Sequence, residues 1–99
     1  MNLVKNSVGS KLSLALEGRL DTTTASQLEA EIKASLGGVT ELVLDFQHLE
    51  YLSSAGLRVL LAAQKMMNRQ GRMIIQHVNE TIQEVFEVTG FIDILTIEE

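Results

Sequence analysis

Apolar residues recur with a period of two near the start of the chain. In "KLSLALEG", Leu12, Leu14 and Leu16 alternate with Ser13, Ala15 and Glu17, which is the spacing of a strand with one buried face. "NLVKNSV" precedes it across Gly9-Ser10, a two-residue hairpin turn. "GRLDTTTAS" then breaks the alternation. One of the residues from Asp21 to Thr24 is expected to cap a helix, and Thr24 with Gln27 also fits a capping box. Ala25, Leu28, Ile32 and Leu36 give that helix one apolar face, and Gly37-Gly38 stops it.

"VTELVLDF" is continuously apolar from Leu42 to Leu44, the signature of a central strand. "QHLEYL" leads from it into a second helix with Leu57, Leu60, Leu61 and Met67 on one side, ended by Gly71. "RMIIQHV" predicts another strand, and Asn79 caps a short helix carrying Ile82, Val85 and Phe86. Gly90 stops that helix, and "IDILTI" reads as a last strand. The predicted order is ββαβαβαβ. Helices alternating with strands imply parallel crossovers, so the fold class is α/β with a small mixed sheet, the first hairpin supplying its antiparallel part.

Composition narrows the chemistry. Ninety-nine residues without proline and without a linker-like stretch predict a single domain over residues 1–99. Apolar residues make up 45% of the chain, enough for an ordinary core. The net charge is −5 and the eight Lys and Arg are scattered, which argues against a nucleic-acid partner. Cysteine is absent, so disulfides, thiolate nucleophiles and cysteine metal sites are excluded, and a reducing cytoplasm is the expected setting. "MNLVKNSVGSK" contains no apolar signal segment. The longest apolar stretch, Leu57 to Met67, is interrupted by Arg58, Gln64 and Lys65 and is too short to cross a bilayer.

Few residues suggest catalysis. His48 and His77 lack a spaced partner for a metal site, and His77 reads as a structural or strand-edge residue. Asp45, His48 and Ser54 are the residue types of a hydrolase, but the sequence around the serine is "LSSAG" rather than G-x-S-x-G, and no glycine-rich oxyanion loop precedes it. Glu29, Glu31, Glu84 and Glu87 fall at solvent-facing helical positions. No nucleotide-binding glycine pattern is present, so no cofactor is expected.

Ser53, Ser54 and Gly56 stand apart. Glycine in a first helical turn is unfavourable by roughly 0.5–1 kcal/mol against alanine. Serine caps helices well, and simple capping explains one of the two serines. It explains neither the second nor Gly56. The functional alternative is that Ala55 and Gly56 clear space above the turn for another backbone or a phosphate, beside amides that favour anions.

With these residues in view, the chain resembles the STAS domain of bacterial anti-sigma-factor antagonists. "LEGRLDTTTASQLEAEI" and "LDFQHLEYLSSAGLRVLL" carry the family's two motifs at the expected separation, and "VFEVTGFIDILTI" is similar to its third helix and last strand. The resemblance covers nearly the whole chain and ends at Glu99, short of a C-terminal helix that many members carry and that is expected to be missing. It implies helices packed largely on one face of the sheet and no catalysis. In the family motif, D-S-S/T-G-L, the first serine is phosphorylated. Aligned on Gly56-Leu57, that serine is Ser54, Ala55 takes the second hydroxyl position, and Ser53 replaces the aspartate. Gly18, Leu20, Asp21 and Thr24 match the earlier motif. The resemblance thus implies partner contacts at Asp21, Thr24, Ser53, Ser54, Gly56 and Arg58. The implied partners are an anti-sigma factor with a serine-kinase fold and a metal-dependent serine phosphatase, the domain being a monomer when free. A second reading, suggested by the missing aspartate, is a non-switching accessory subunit of an ABC-transporter ATPase.

Overall fold

The structure, a computed structural model, describes residues 1–98. Its elements are β1 (Asn2–Val8), β2 (Lys11–Leu20), α1 (Thr22–Ser35), β3 (Glu41–Leu52), α2 (Ser54–Asn68), β4 (Arg72–Gln76), α3 (Glu80–Thr89), a 3-10 turn (Phe91–Asp93) and β5 (Ile97–Glu98). The five strands lie in the order β1-β2-β3-β4-β5. Among the described residues only the β1–β2 hairpin is antiparallel; the other three pairs are parallel. Each parallel crossover carries a helix and steps to the next strand in the same direction. Right-handed crossovers then place every helix on one side of the sheet.

The core follows from this layout. Leu12, Leu14 and Leu16 of β2, Leu42, Leu44 and Phe46 of β3, and Met73 and Ile75 of β4 point at the helices and are almost wholly buried. Leu28 and Ile32 of α1, Leu60, Ala63 and Met67 of α2, and Ile82 and Phe86 of α3 close over them in one cluster. Phe46 and Phe86 meet with ring centroids 6.5 Å apart, within the range of favourable aromatic pairing. On the other face the outward positions are satisfied laterally. Glu41 accepts two hydrogen bonds from Arg72, at 2.9 and 2.6 Å, and lies 3.6 Å from Lys11. Val43 and Ile74, paired in register, are buried but stand outside the main cluster.

Three boundaries depart from the sequence reading. First, β2 runs on to Leu20 through irregularities between Ala15 and Glu17 and between Gly18 and Arg19, although "GRLD" reads as a break. Likewise β3 continues through "QHLEYL" to Leu52. Parallel pairing of these two extensions, with Leu20 opposite Leu52, keeps them in the sheet. Second, "IDILTI" is mostly not strand. Gly90 turns the chain with φ 81° into a 3-10 turn, Leu95 is buried, and only Ile97 and Glu98 pair with β4. Third, Gly71 does not cap α2, which ends at Asn68. A Cβ there would stand 1.9 Å from the carbonyl oxygen of Thr40, so the glycine lets the starts of β3 and β4 approach.

Candidate functional site

The extended ends of β2 and β3 determine where the motif residues meet. Leu20 and Leu52 are the last register pair, and the Ser53 amide donates to the Leu20 carbonyl at 2.9 Å. The chain therefore leaves both strands at the same edge, and α1 and α2 begin side by side there. The structure thus brings Asp21, Thr24, Ser53, Ser54 and Arg58 onto neighbouring turns.

Asp21 is the N-cap of α1. Its carboxylate accepts from the amides of Thr23 (3.1 Å) and Thr24 (3.0 Å). Thr24 Oγ1 accepts from the Asp21 amide at 2.8 Å and donates to the Arg19 carbonyl at 2.7 Å. The capping box is therefore Asp21 with Thr24, and the expected Thr24–Gln27 box is corrected: Thr24 already occupies the third helical position. The Asp21 carboxyl is held below its ordinary value, the Thr24 amide contributing most, followed by the Thr24 hydroxyl, which lies 3.1 Å from Oδ1.

At α2 the two serines divide the work. Ser53 has extended backbone, and its Oγ accepts from the Gly56 amide at 3.2 Å, so it is the cap. Ser54 is the first helical residue and is exposed; among the described residues its hydroxyl takes no part in the cap. The first turn of α2 holds no acidic side chain, so the positive end of its dipole is uncompensated. Arg58 is exposed one turn further on. Ala55 is half-buried against the core.

Gly56 corrects the expectation of cleared space above the turn. It is buried, and a Cβ built on it would lie 2.8 Å from both Leu20 Cγ and Leu52 Cδ1. The glycine lets α2 settle on the two leucines that end β2 and β3. It faces the core, not a partner.

One neighbour escaped the sequence reading. Arg19 and Tyr51 are paired in register one step before Leu20 and Leu52, and the Arg19 guanidinium sits 4.2 Å from the Tyr51 ring centroid, a cation–π distance. Tyr51 is 40% exposed. Its only sequence signal was an aromatic at an outward position beside an inward leucine, legible only once the strand is known to continue.

The hydrolase constellation does not assemble. Asp45 lies seven residues before Leu52 along β3, roughly 20 Å at a strand's rise, and its partner is His77, with Nδ1 at 2.8 Å. Burial pushes the Asp45 carboxyl up, but hydrogen bonds from His77 and the Gln47 amide outweigh it and leave the group below its ordinary value. His48 instead lines a groove with Glu17, Glu50 and Asn79. Among the described residues no three metal-ligating side chains converge, and no helix is long and apolar enough to cross a membrane.

Comparison with known proteins bears on the family and the fold. The model of the STAS domain matches residues 2–99. BtrV of Bordetella bronchiseptica, assigned as an anti-sigma factor antagonist, is 37% identical over 99 residues, covering 98% of this chain and 85% of that protein. Among solved structures, an anti-sigma factor antagonist from Mycobacterium paratuberculosis superposes with TM-score 0.87 at 21% identity, covering 97% of this chain and 83% of the other. The Bacillus cell fate determinant SpoIIAA in its phosphorylated form gives TM-score 0.77 at 22% identity, with coverage of 99% and 92%. These two likenesses concern the fold.

Proposed function

The chain belongs to the STAS domain family, and from that premise we propose that it is an anti-sigma-factor antagonist switched by phosphorylation of Ser54. The unphosphorylated domain binds an anti-sigma factor that is also a serine kinase, and so releases a sigma factor. A phosphoryl group on Ser54 ends that binding, and a metal-dependent serine phosphatase restores it. The domain acts in the cytoplasm, as a monomer when free, and has no catalysis of its own. Asp21, Thr24, Ser53 and Ser54 form the contact surface, Arg58 lies beside them, and Gly56 supports it from beneath.

The observation that carries this reading is the division of labour between the serines. Ser53 caps α2, so Ser54 is exposed without being needed for the helix. The name borne by the relative at 37% identity supports the antagonist role. The switch itself is electrostatic. A phosphoryl group brings a charge of about −1.5 to −2, and a contact that must desolvate it loses several kcal/mol.

The test uses tagged wild-type, Ser54→Ala and Ser54→Asp proteins to capture partners from cells, with phosphosite mapping of the wild type. The expected result is phosphate on Ser54, a kinase-type anti-sigma factor retained by Ser54→Ala, and weaker retention by Ser54→Asp. Phosphate on Ser53 alone, or equal capture by all three proteins, would overturn the reading.

A further inference from the structure

Arg58 is unpaired among the described residues. It is exposed on α2, four residues after Ser54. Residues four apart on a helix are surface neighbours, with Cβ atoms about 5–6 Å apart. Helical side chains also lean toward the N-terminus, so the guanidinium of Arg58 is carried toward Ser54 rather than away from it. The other charged groups nearby are occupied. Asp21 is bound to the amides of α1, and Arg19 lies over the Tyr51 ring.

We propose that Arg58 is the internal partner of a phosphoryl group on Ser54, exposed while Ser54 is unmodified and folded back onto the phosphate once it is modified. The inference rests on the reading of Ser54 as the modified residue. A guanidinium can meet two phosphate oxygens at once, and no acidic side chain in the first turn of α2 competes for it. Modification then changes two groups together. The docking surface gains an anion and loses an unpaired guanidinium, so the Ser54–Arg58 patch passes from +1 to about −1 near neutral pH. An acidic group on a partner that approached Arg58 would meet the opposite field. The pairing also explains how a doubly charged group can sit on this turn without disturbing the helix.

The experiment needs no partner. The full chain is produced with phosphoserine inserted at position 54, and its phosphorus resonance is followed through the second phosphate ionisation, near pH 6 for this group. Arg58→Ala is expected to raise the titration midpoint by about 0.3–0.5 unit, the size of an exposed ion pair. Arg58→Lys should raise it by less, and Lys65→Ala, two further turns along, should leave it unchanged. The Arg58 effect should shrink at about 1 M salt. If Arg58→Ala moves the midpoint no more than Lys65→Ala does, the pairing is wrong. Because the phosphate is installed by the experiment, that failure is separate from the failure of Ser54 as the cellular site, which phosphosite mapping decides.

Discussion

Gly56→Ala distinguishes a glycine needed for packing from one needed for docking. The added Cβ would stand 2.8 Å from Leu20 Cγ, 2.8 Å from Leu52 Cδ1 and 3.0 Å from Leu20 Cδ2. Leu20 is fully buried and Leu52 is 6% exposed, so neither can move aside into solvent. A terminal methyl of Leu52 can rotate, but Leu20 Cγ is a branch point and moves only with its whole side chain. Two effects then oppose each other. Alanine improves helix propensity by about 1 kcal/mol, while overpacking a well-filled site costs about 1–3 kcal/mol. The expected net loss is about 1 kcal/mol, which in a domain of this size lowers Tm by about 4–8 °C. Gly56→Val adds a branched side chain against the same leucines and should lose roughly 3 kcal/mol. Urea and thermal melts followed by circular dichroism read both variants, with an unchanged denaturant slope showing that the compared states are the same. Gly56→Ala as stable as wild type or more so would refute the reasoning: the first turn would then be loosely packed and its glycine open to a partner.

The neighbouring residues give further tests by the same melts. Ser53→Ala should destabilise by about 1 kcal/mol through loss of the α2 cap, whereas Ser54→Ala should stay within about 0.5 kcal/mol of wild type; the reverse order would exchange the roles of the serines. Asp21→Ala removes the acceptor for two amides and should lower Tm by several degrees, with Asp21→Ser, another capping residue, recovering part of the loss. Acid should also destabilise the domain. Asp21, Glu41 and Asp45 all have carboxyls lowered from ordinary values of 3.8, 4.5 and 3.8. The stabilisation from such groups is present above the unfolded pKa and is lost as pH falls through the folded one. Tm should therefore fall below about pH 4, and Asp45→Asn, which removes the carboxylate facing His77, should flatten part of that fall; an unchanged profile would show that the Asp45 carboxylate contributes nothing.

The sequence and the structure agree where one periodicity dominates. Leu12, Leu14 and Leu16 announced β2 because inward and outward positions alternate cleanly, and Leu42 to Leu44 announced the central strand because both of its faces are buried. The expected element order follows from those strands and the helices between them, whereas the one-sided packing was implied by the family resemblance. The ends of β2 and β3 were not legible, because irregular register shifts the alternation and a charged or aromatic outward residue hides the pattern. The same holds for the last strand, where Ile92 and Leu95 look like β-sheet but serve a 3-10 turn and the core beneath it. At the site, the residue types were legible, and their grouping was implied by the family resemblance. Their individual tasks were not legible. Which serine caps and which is exposed depends on where the helix begins, and the duty of Gly56 depends on Leu20, thirty-six positions away in the chain.

On the proposed reading, this arrangement would let one surface be switched while the fold stays fixed. Among the described residues, every interaction that holds the site lies beneath or beside Ser54 and leaves its hydroxyl unused. The cap belongs to Ser53, the seat of α2 to Gly56 on Leu20 and Leu52, and the start of α1 to Asp21 and Thr24. Adding a charged group to Ser54 would break none of these contacts, and the positive end of the α2 dipole, which no acidic side chain in the first turn offsets, would stabilise an anion rather than expel it. A phosphate at the solvent end of the helix would oppose no buried charge, because the core beneath holds no charged side chain among the described residues. A partner docked on the same turn must instead strip water from that charge. The energetic effect of modification is therefore concentrated at the interface. On the proposed reading, that is what a reversible switch requires: a modified domain that stays folded and can bind again once the group is removed.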